Sequence, residues 1–305
     1  MSLHVFASFV TPFGTAANNR GETEGNMTTL QKLLWQGESY TTVSAEAIRF
    51  ALRRRFGEMD PAGTNRRWDE ASRSNVWEDH QFKAWASEKG KTFIDDDLLG
   101  FMIAEAAKEE TDGGETKGKG TANVRRAVLE VTRAVSLTPW AGDVTFNAAS
   151  PGATPSASKG DKNKAKNPVP YGAELHATRY QYGIALTPER LRDPSRAAKA
   201  LEGLCTVGPV AGNHGRFFFD FSPESIVIRI TDDPAPRILY CFGTDDDGRT
   251  VHAKALEQKI QLGDIKNDEL IMGGAITLGG EKIRGVKEAC EQAISIINKR
   301  ITAKG

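Results

Sequence analysis

The sequence predicts an α+β fold, a ferredoxin-like core that carries large excursions. Three observations lead there. Element types alternate along the chain as strand, helix, long insertions, strand, helix, loop, strands and helix, which suits a sheet backed by helices. Apolar residues are 39% and charged residues 26% of 305, values that allow a buried core in one elaborated domain or two smaller ones. Residues 15–29, 111–121 and 147–170 are too polar or too glycine-rich to enter that core, so they are read as excursions from it.

In chain order, Leu3 to Val10 (LHVFASFV) reads as a buried strand ending at Thr11-Pro12. The polar loop after it carries Asn19, Arg20, Glu22 and Glu24. Ser44 to Phe56 is a helix, with Ser44 as its cap, Glu46 in the first turn and Gly57 past the end. Its apolar stripe is Ile48, Ala51 or Leu52, and Phe56. From Met59 to about Gly90 the composition shifts to Asp, Asn, Arg and Trp, the mark of an inserted subdomain. Phe93 to Glu110 has helical spacing at Ile94, Leu98, Phe101, Met102 and Ala106, and Asp95, Asp96 and Asp97 suit the start of that helix. Thr111 to Thr121 is a connector, and Asn123 to Leu137 fits either a helix or an irregular strand.

Asn147 to Pro170 reads as an exposed basic loop, its Lys159, Lys162, Lys164 and Lys166 opposed only by Asp161. Leu175 to Leu186 alternates as a strand, and Thr187-Pro188-Glu189-Arg190 opens a helical turn. Ser195 to Leu204 is helical and Val207 to Gly215 is a glycine-rich loop. Phe217 to Phe221, Ser225 to Ile230 and Arg237 to Phe242 are β-rich, and Asp245-Asp246-Asp247-Gly248 is a hairpin turn. The glycines at 273–274 and 279–280 precede a closing helix, Lys282 to Arg300, striped by Ile283, Val286, Cys290, Ala293, Ile294 and Ile297.

Charge narrows the function classes. Forty Lys and Arg face forty Asp and Glu, so nothing marks the chain as globally basic, and copies repel one another little. No apolar run approaches a membrane span and the first residues lack a signal-peptide pattern, so a cytoplasmic protein without a membrane partner is expected. Cys205, Cys241 and Cys290 are scattered among apolar neighbours and read as buried and inert; no metal site and no cofactor is expected. The segment Gly274 to Gly280 lacks the Lys and Ser/Thr of a phosphate-binding loop.

The residues suited to a polyanion lie in three places. Arg49 and Arg53 fall at i and i+4, a spacing that fits either a solvated face or a pair bridging phosphates. Gly212, Asn213, His214 and Arg216 could cradle a sugar-phosphate chain, or be turn residues. The lysines of 159–166 are the third.

Several stretches in order resemble the backbone, or Cas-seven, subunit of type I CRISPR Cascade surveillance complexes, in its DevR-like autoregulator branch. They are LHVFASFVTP with Asn19-Arg20, the serine-capped helix Ser44 to Arg53, IDDDLLGFM at 94–102, Ala134-Val135-Ser136-Leu137 with Gly142-Asp143, Tyr180-Gln181-Tyr182, Gly212-Asn213-His214, and Phe221 to Val227. The resemblance implies an RRM-like (ferredoxin-like) palm at 1–57, 117–141 and 177–305, a helical finger insertion at 58–116 and an extended thumb loop at 142–176. It implies copies polymerising along a CRISPR RNA, target DNA paired to the guide, and neighbouring handle-binding and large subunits. Carried over by position, Arg20, Arg49 and Arg53 hold RNA phosphates, and Gly212, Asn213, His214 and Arg216 form a glycine-loop contact. Lys159, Lys162, Lys164 and Lys166 form the thumb's contact. The expected role is non-catalytic. The rivals are an RRM-like ribonuclease using His214 or Glu22 and Glu24, and a regulatory protein that binds no nucleic acid.

Overall fold

Burial of six of the seven residues of the first strand places it in the middle of the molecule. In β1 (His4–Val10), Val5, Ala7 and Phe9 alternate with Phe6, Ser8 and Val10, and all six are buried. Such a strand needs cover on both faces. The computed structural model describes residues 2–16, 23–86, 90–104, 122–148, 170–210, 218–245, 248–276 and 284–303.

A hairpin of β2 (Lys32–Trp35) and β3 (Glu38–Val43) leads to α1 (Ala45–Met59). A second hairpin follows, β4 (Arg66–Asp69) and β5 (Ser74–Trp77), then α2 (Ile94–Leu99) and β6 (Phe101–Ala104). Next come β7 (Ala122–Arg125), β8 (Leu129–Val131), β9 (Ala134–Ser136), β10 (Val144–Ala148), β11 (Pro170–Glu174) and β12 (Tyr180–Leu186). The chain ends with α3 (Arg196–Cys205), β13 (Ser225–Thr231), α4 (Lys254–Gln261), β14 (Leu270–Gly274) and α5 (Val286–Thr302).

The main sheet runs β14-β13-β1-β12-β9-β3-β2, with β8 also on β12, and every pairing in it is antiparallel. Strands β8 and β9 are one irregular strand, interrupted where Thr132 Oγ1 accepts from Gly183 N at 2.8 Å. Space beside Gly183 is tight: a Cβ there would stand 3.1 Å from Ala7 O and 2.5 Å from Leu239 Cδ2, the movable end of a side chain.

Two hydrophobic layers cover the sheet. Val5, Ala7 and Phe9 pack with Ile48, Leu52 and Phe56 of α1, Leu201 and Leu204 of α3, and Ala293 and Ile297 of α5. Phe6 and Val10 point the other way, to Ile238, Phe242 and Leu256 of α4. The fold is therefore a mixed α/β arrangement on an antiparallel sheet with both faces filled.

The ribbon β10–β11 is rooted against β2 and β3. Glu174 accepts from Leu30 N at 2.7 Å and pairs with Lys32 at 2.5 Å, and Trp140 Nε1 donates to Leu175 O at 2.8 Å. Behind it, Thr41 Oγ1 lies 2.7 Å from His176 Nδ1 and 2.8 Å from the Tyr180 hydroxyl. Burial lowers the His176 pKa to about 4, so that ring is neutral at physiological pH.

Four sequence expectations are corrected. The helix expected over Phe93 to Glu110 stops at Leu99, because Gly100 takes φ +70° and the chain turns into β6. Arg237 to Phe242 is a turn and not a strand; Arg237 and Tyr240 have positive φ of 57° and 54°. The insertion at 58–116 is not a helical body among its described residues: it carries the β4–β5 hairpin, one 3-10 turn, α2 and β6. Phe218 to Phe221 forms no ladder, so only Ser225–Thr231 is a strand there. Helix α1 also runs through Gly57 to Met59.

Candidate nucleic-acid interface

The serine cap expected of α1 is present: Ser44 Oγ accepts from Ala47 N at 3.2 Å. Its stripe of Ile48, Ala51, Leu52 and Phe56 is buried, which turns Arg49, Phe50, Arg53 and Arg54 toward the insertion and solvent. Arg49 and Arg53 lie one turn apart on that face, as their spacing requires.

Each guanidinium is fastened at one point. Arg49 Nη2 donates to Leu99 O at the end of α2, and Arg53 Nε donates to Asp95 Oδ2 at 3.3 Å. Their other N–H groups make no hydrogen bond among the described residues, out of five donors that each guanidinium has. Burial lowers both pKa values, with Arg66 adding repulsion, and Arg53 is pushed down to about 10. Both remain cationic at neutral pH. Three mutually repelling arginines with unused donors favour an anion beside them.

Asp95, Asp96 and Asp97 start α2 as expected, yet all three are buried, at 0%, 3% and 0% exposure. Asp95 accepts from Asn65 N at 2.8 Å and Arg66 N at 3.1 Å, besides Arg53. Asp97 accepts from Arg125 at 2.5 Å, Arg196 at 2.7 Å, Arg192 N at 3.0 Å and Asp193 N at 3.1 Å. Asp96 accepts from Asn65 Nδ2 at 2.9 Å, and burial beside Asp95 raises its pKa to about 7. The run is thus a joint: Asp95 pins the insertion to α1, and Asp97 pins β7 to the entry of α3.

Arg20, Gly212, Asn213, His214, Arg216, Lys159, Lys162, Lys164, Lys166 and Glu22 lie outside the described residues. Glu24 is exposed in the two-residue strand Thr23–Glu24. Asp245 opens the expected hairpin turn and lies 3.2 Å from Lys254. Among the described residues no group of three His, Cys, Asp or Glu could hold a metal, and no helix is long and apolar enough to cross a membrane. Sequence reasoning missed Arg54, Arg66 and Trp68 as part of this face. The Arg- and Trp-rich composition of 59–90 was the available signal, but the folding of the β4–β5 hairpin onto α1 was not legible from it.

The fold and face define an antiparallel α/β protein with an arginine-bearing helix set against an insertion. Residues 11–246 match the family model "CRISPR-associated negative auto-regulator DevR/Csa2". The chain is 62% identical over 299 residues to "CRISPR-associated protein Cas7/Cst2/DevR" of Myxococcus xanthus (strain DK1622), covering 97% of this chain and 95% of that one. It belongs to the DevR/Csa2 family of CRISPR-associated proteins. A chain of a solved "CRISPR RNA-guided surveillance complex, pre-nicking" shares the fold with a TM-score of 0.57 at 12% identity, covering 97% of this chain and 100% of that chain. A second, titled "CRISPR RNA-guided surveillance complex", gives 0.52 at 14% identity over 97% and 99%.

Proposed function

We propose that this protein is a non-catalytic, guide-RNA-binding backbone subunit of a type I CRISPR surveillance complex, several copies of which lie side by side along one RNA. The observation that carries this is the α1 face. Arg49 and Arg53 stand one turn apart, are held rigid by Leu99 O and Asp95, and keep donors for successive phosphates. Family membership supports the setting, since relatives of this fold are named as parts of RNA-guided surveillance complexes.

The finer reading of the fold follows the strand order. Taking β8 and β9 as one strand, the order β13-β1-β12-β8/β9, with α1 after β1 and α3 after β12, supports reading a ferredoxin-like core. We read it as the palm, 58–116 as the finger and 142–176 as the thumb, rooted in the ribbon β10–β11. Lys159, Lys162, Lys164 and Lys166 lie in sequence between those two strands, and we assign them contact with the RNA or its paired DNA strand. Arg20 and the 212–216 segment are assigned to the RNA backbone. Sequence is then read by base pairing between guide and target DNA, while the protein holds geometry. Handle-binding and large subunits complete the assembly.

The test is RNA binding by Arg49→Gln/Arg53→Gln at several salt concentrations. Losing two phosphate contacts should weaken affinity and reduce the salt slope by about 1.4, at ~0.7 per phosphate on a single strand. Glutamine avoids setting a second carboxylate beside Asp95, and a melting curve confirms the fold. Unchanged affinity and slope in a folded variant would remove this assignment.

A further inference from the structure

Between α1 and the β4–β5 hairpin lies a groove of about 280 Å³, lined by Phe50, Arg53 and Arg54 from the helix and by Arg66, Arg67 and Trp68 from the hairpin. Four guanidiniums meet there. Two glutamates also line it, Glu58 and Glu70, of which Glu58 pairs with Arg55 at 3.1 Å. Arg67 pairs with Glu78 at 3.0 Å. Arg54 is exposed and has no hydrogen bond or ion pair among the described residues, and the buried Nε of Arg66 has no partner. The groove therefore holds more positive charge than its own carboxylates neutralise.

Its walls are also aromatic. Phe50 and Trp68 are 39% and 41% exposed. Arginines alone would suit any anion. Arginines with open ring faces match a phosphate joined to a base, because every base has a face that stacks on an indole. The volume, at the small end of ligand pockets, matches one such unit.

We propose that this groove holds one nucleotide of a single-stranded nucleic acid, its phosphate among Arg53, Arg54 and Arg66 and its base stacked on Trp68. This rests on the nucleic-acid reading of the α1 face and extends that site across the insertion, making the hairpin a second wall of the strand's path. It also gives the Asp95 joint a purpose: its bonds to Arg66 N and Arg53 Nε set the two walls at a fixed distance.

The experiment measures binding of a single-stranded oligouridine about ten nucleotides long, and of the same backbone with abasic sites, to wild-type, Trp68→Ala, Trp68→Phe and Arg54→Glu proteins. Wild-type protein should prefer the base-bearing strand. Trp68→Ala should lose about ten-fold on it and no longer distinguish the two strands. Trp68→Phe should keep most of the preference, which separates stacking from a folding defect. Arg54→Glu should weaken both strands and flatten the salt dependence. Wild-type indifference to the bases, or wild-type affinity in Trp68→Ala and Arg54→Glu, would overturn the groove while leaving guide binding through Arg49 and Arg53 intact. Tighter binding of polyglutamate than of oligouridine would show the groove to be a site for acidic peptide. Wild-type protein that binds no single strand would remove both readings.

Discussion

Asp97→Asn should destabilise the folded chain by several kcal/mol, although the two residues are nearly the same shape. The Asp97 carboxylate is 0% exposed and receives four donors: Arg125 and Arg192 N on Oδ1, and Arg196 and Asp193 N on Oδ2. Asparagine keeps one acceptor oxygen and puts an NH2 where the other stood, so two donors face a donor. At ~1–3 kcal/mol for each buried group left unsatisfied, the loss is about 2–6 kcal/mol. The independent figure for breaking one side of a buried ion pair, about 3–5 kcal/mol, falls inside that range. Arg125 and Arg196 are partly solvated, with side chains 23% and 15% exposed, which favours the lower half. With about 2–4 °C per kcal/mol for a chain somewhat shorter than this one, the ~2–4 kcal/mol of that lower half should lower melting by roughly 4–16 °C. Urea and thermal unfolding followed by circular dichroism at pH 7 would measure it. A variant within about 1 kcal/mol of wild type would refute the claim that this carboxylate joins β7 to α3.

The adjacent Asp96 should behave in the opposite way. Its folded pKa of about 7 lies above the ordinary carboxylate value, so its contribution to stability is full below about pH 4 and is lost as pH rises toward 7. Asp96→Asn should therefore remove a downward slope of stability between about pH 5 and 7, and equal slopes in both proteins would count against the buried, protonated carboxyl. Gly100→Ala should unfold at markedly lower temperature. Its φ of +70° with ψ of 174° is a conformation reserved to glycine, and a Cβ would stand 2.3 Å from Arg125 O, so a wild-type melting curve would mean that α2 does not end as described.

What the sequence discloses and hides follows from how local the cause is. Strand β1, helices α1, α3 and α5, and strands β12 and β13 are legible because their apolar patterns are continuous and their caps are adjacent in sequence, as with Ser44 and Ala47. Strand β14 escaped because its last two residues, Gly273 and Gly274, read as loop, although β13 pairs along its whole length. The helix expected over Phe93 to Glu110 failed for a tertiary reason: the backbone of Arg125 packs against Gly100, so the chain must turn there whatever its periodicity. On the candidate face, an RNA role for Arg49 and Arg53 came from the family resemblance, and only their shared side of α1 was legible from spacing. The joint that fixes them was not. Its partners stand 42 residues away at Arg53, 28 at Arg125 and 99 at Arg196, and no local pattern announces such contacts.

Equal numbers of acids and bases conceal where each sign is used. Three aspartates at 95–97 are buried in the joint, where Arg53, Arg125 and Arg196 answer two of them and Asp96 takes a proton as pH falls below about 7. Those carboxylates contribute no open negative surface beside α1. Arg54 and the Nε of Arg66, on the walls above the joint, are left without carboxylate partners among the described residues. Three of the acids that balance the count are in this way turned inward, where Asp95 ties Arg53 of α1 to the insertion and Asp97 ties β7 to α3. Charge segregation and mechanical connection are then one property of the same three residues. A substitution in the joint should accordingly disturb both nucleic-acid affinity and stability, whereas one at Arg54 or Trp68 should disturb affinity alone.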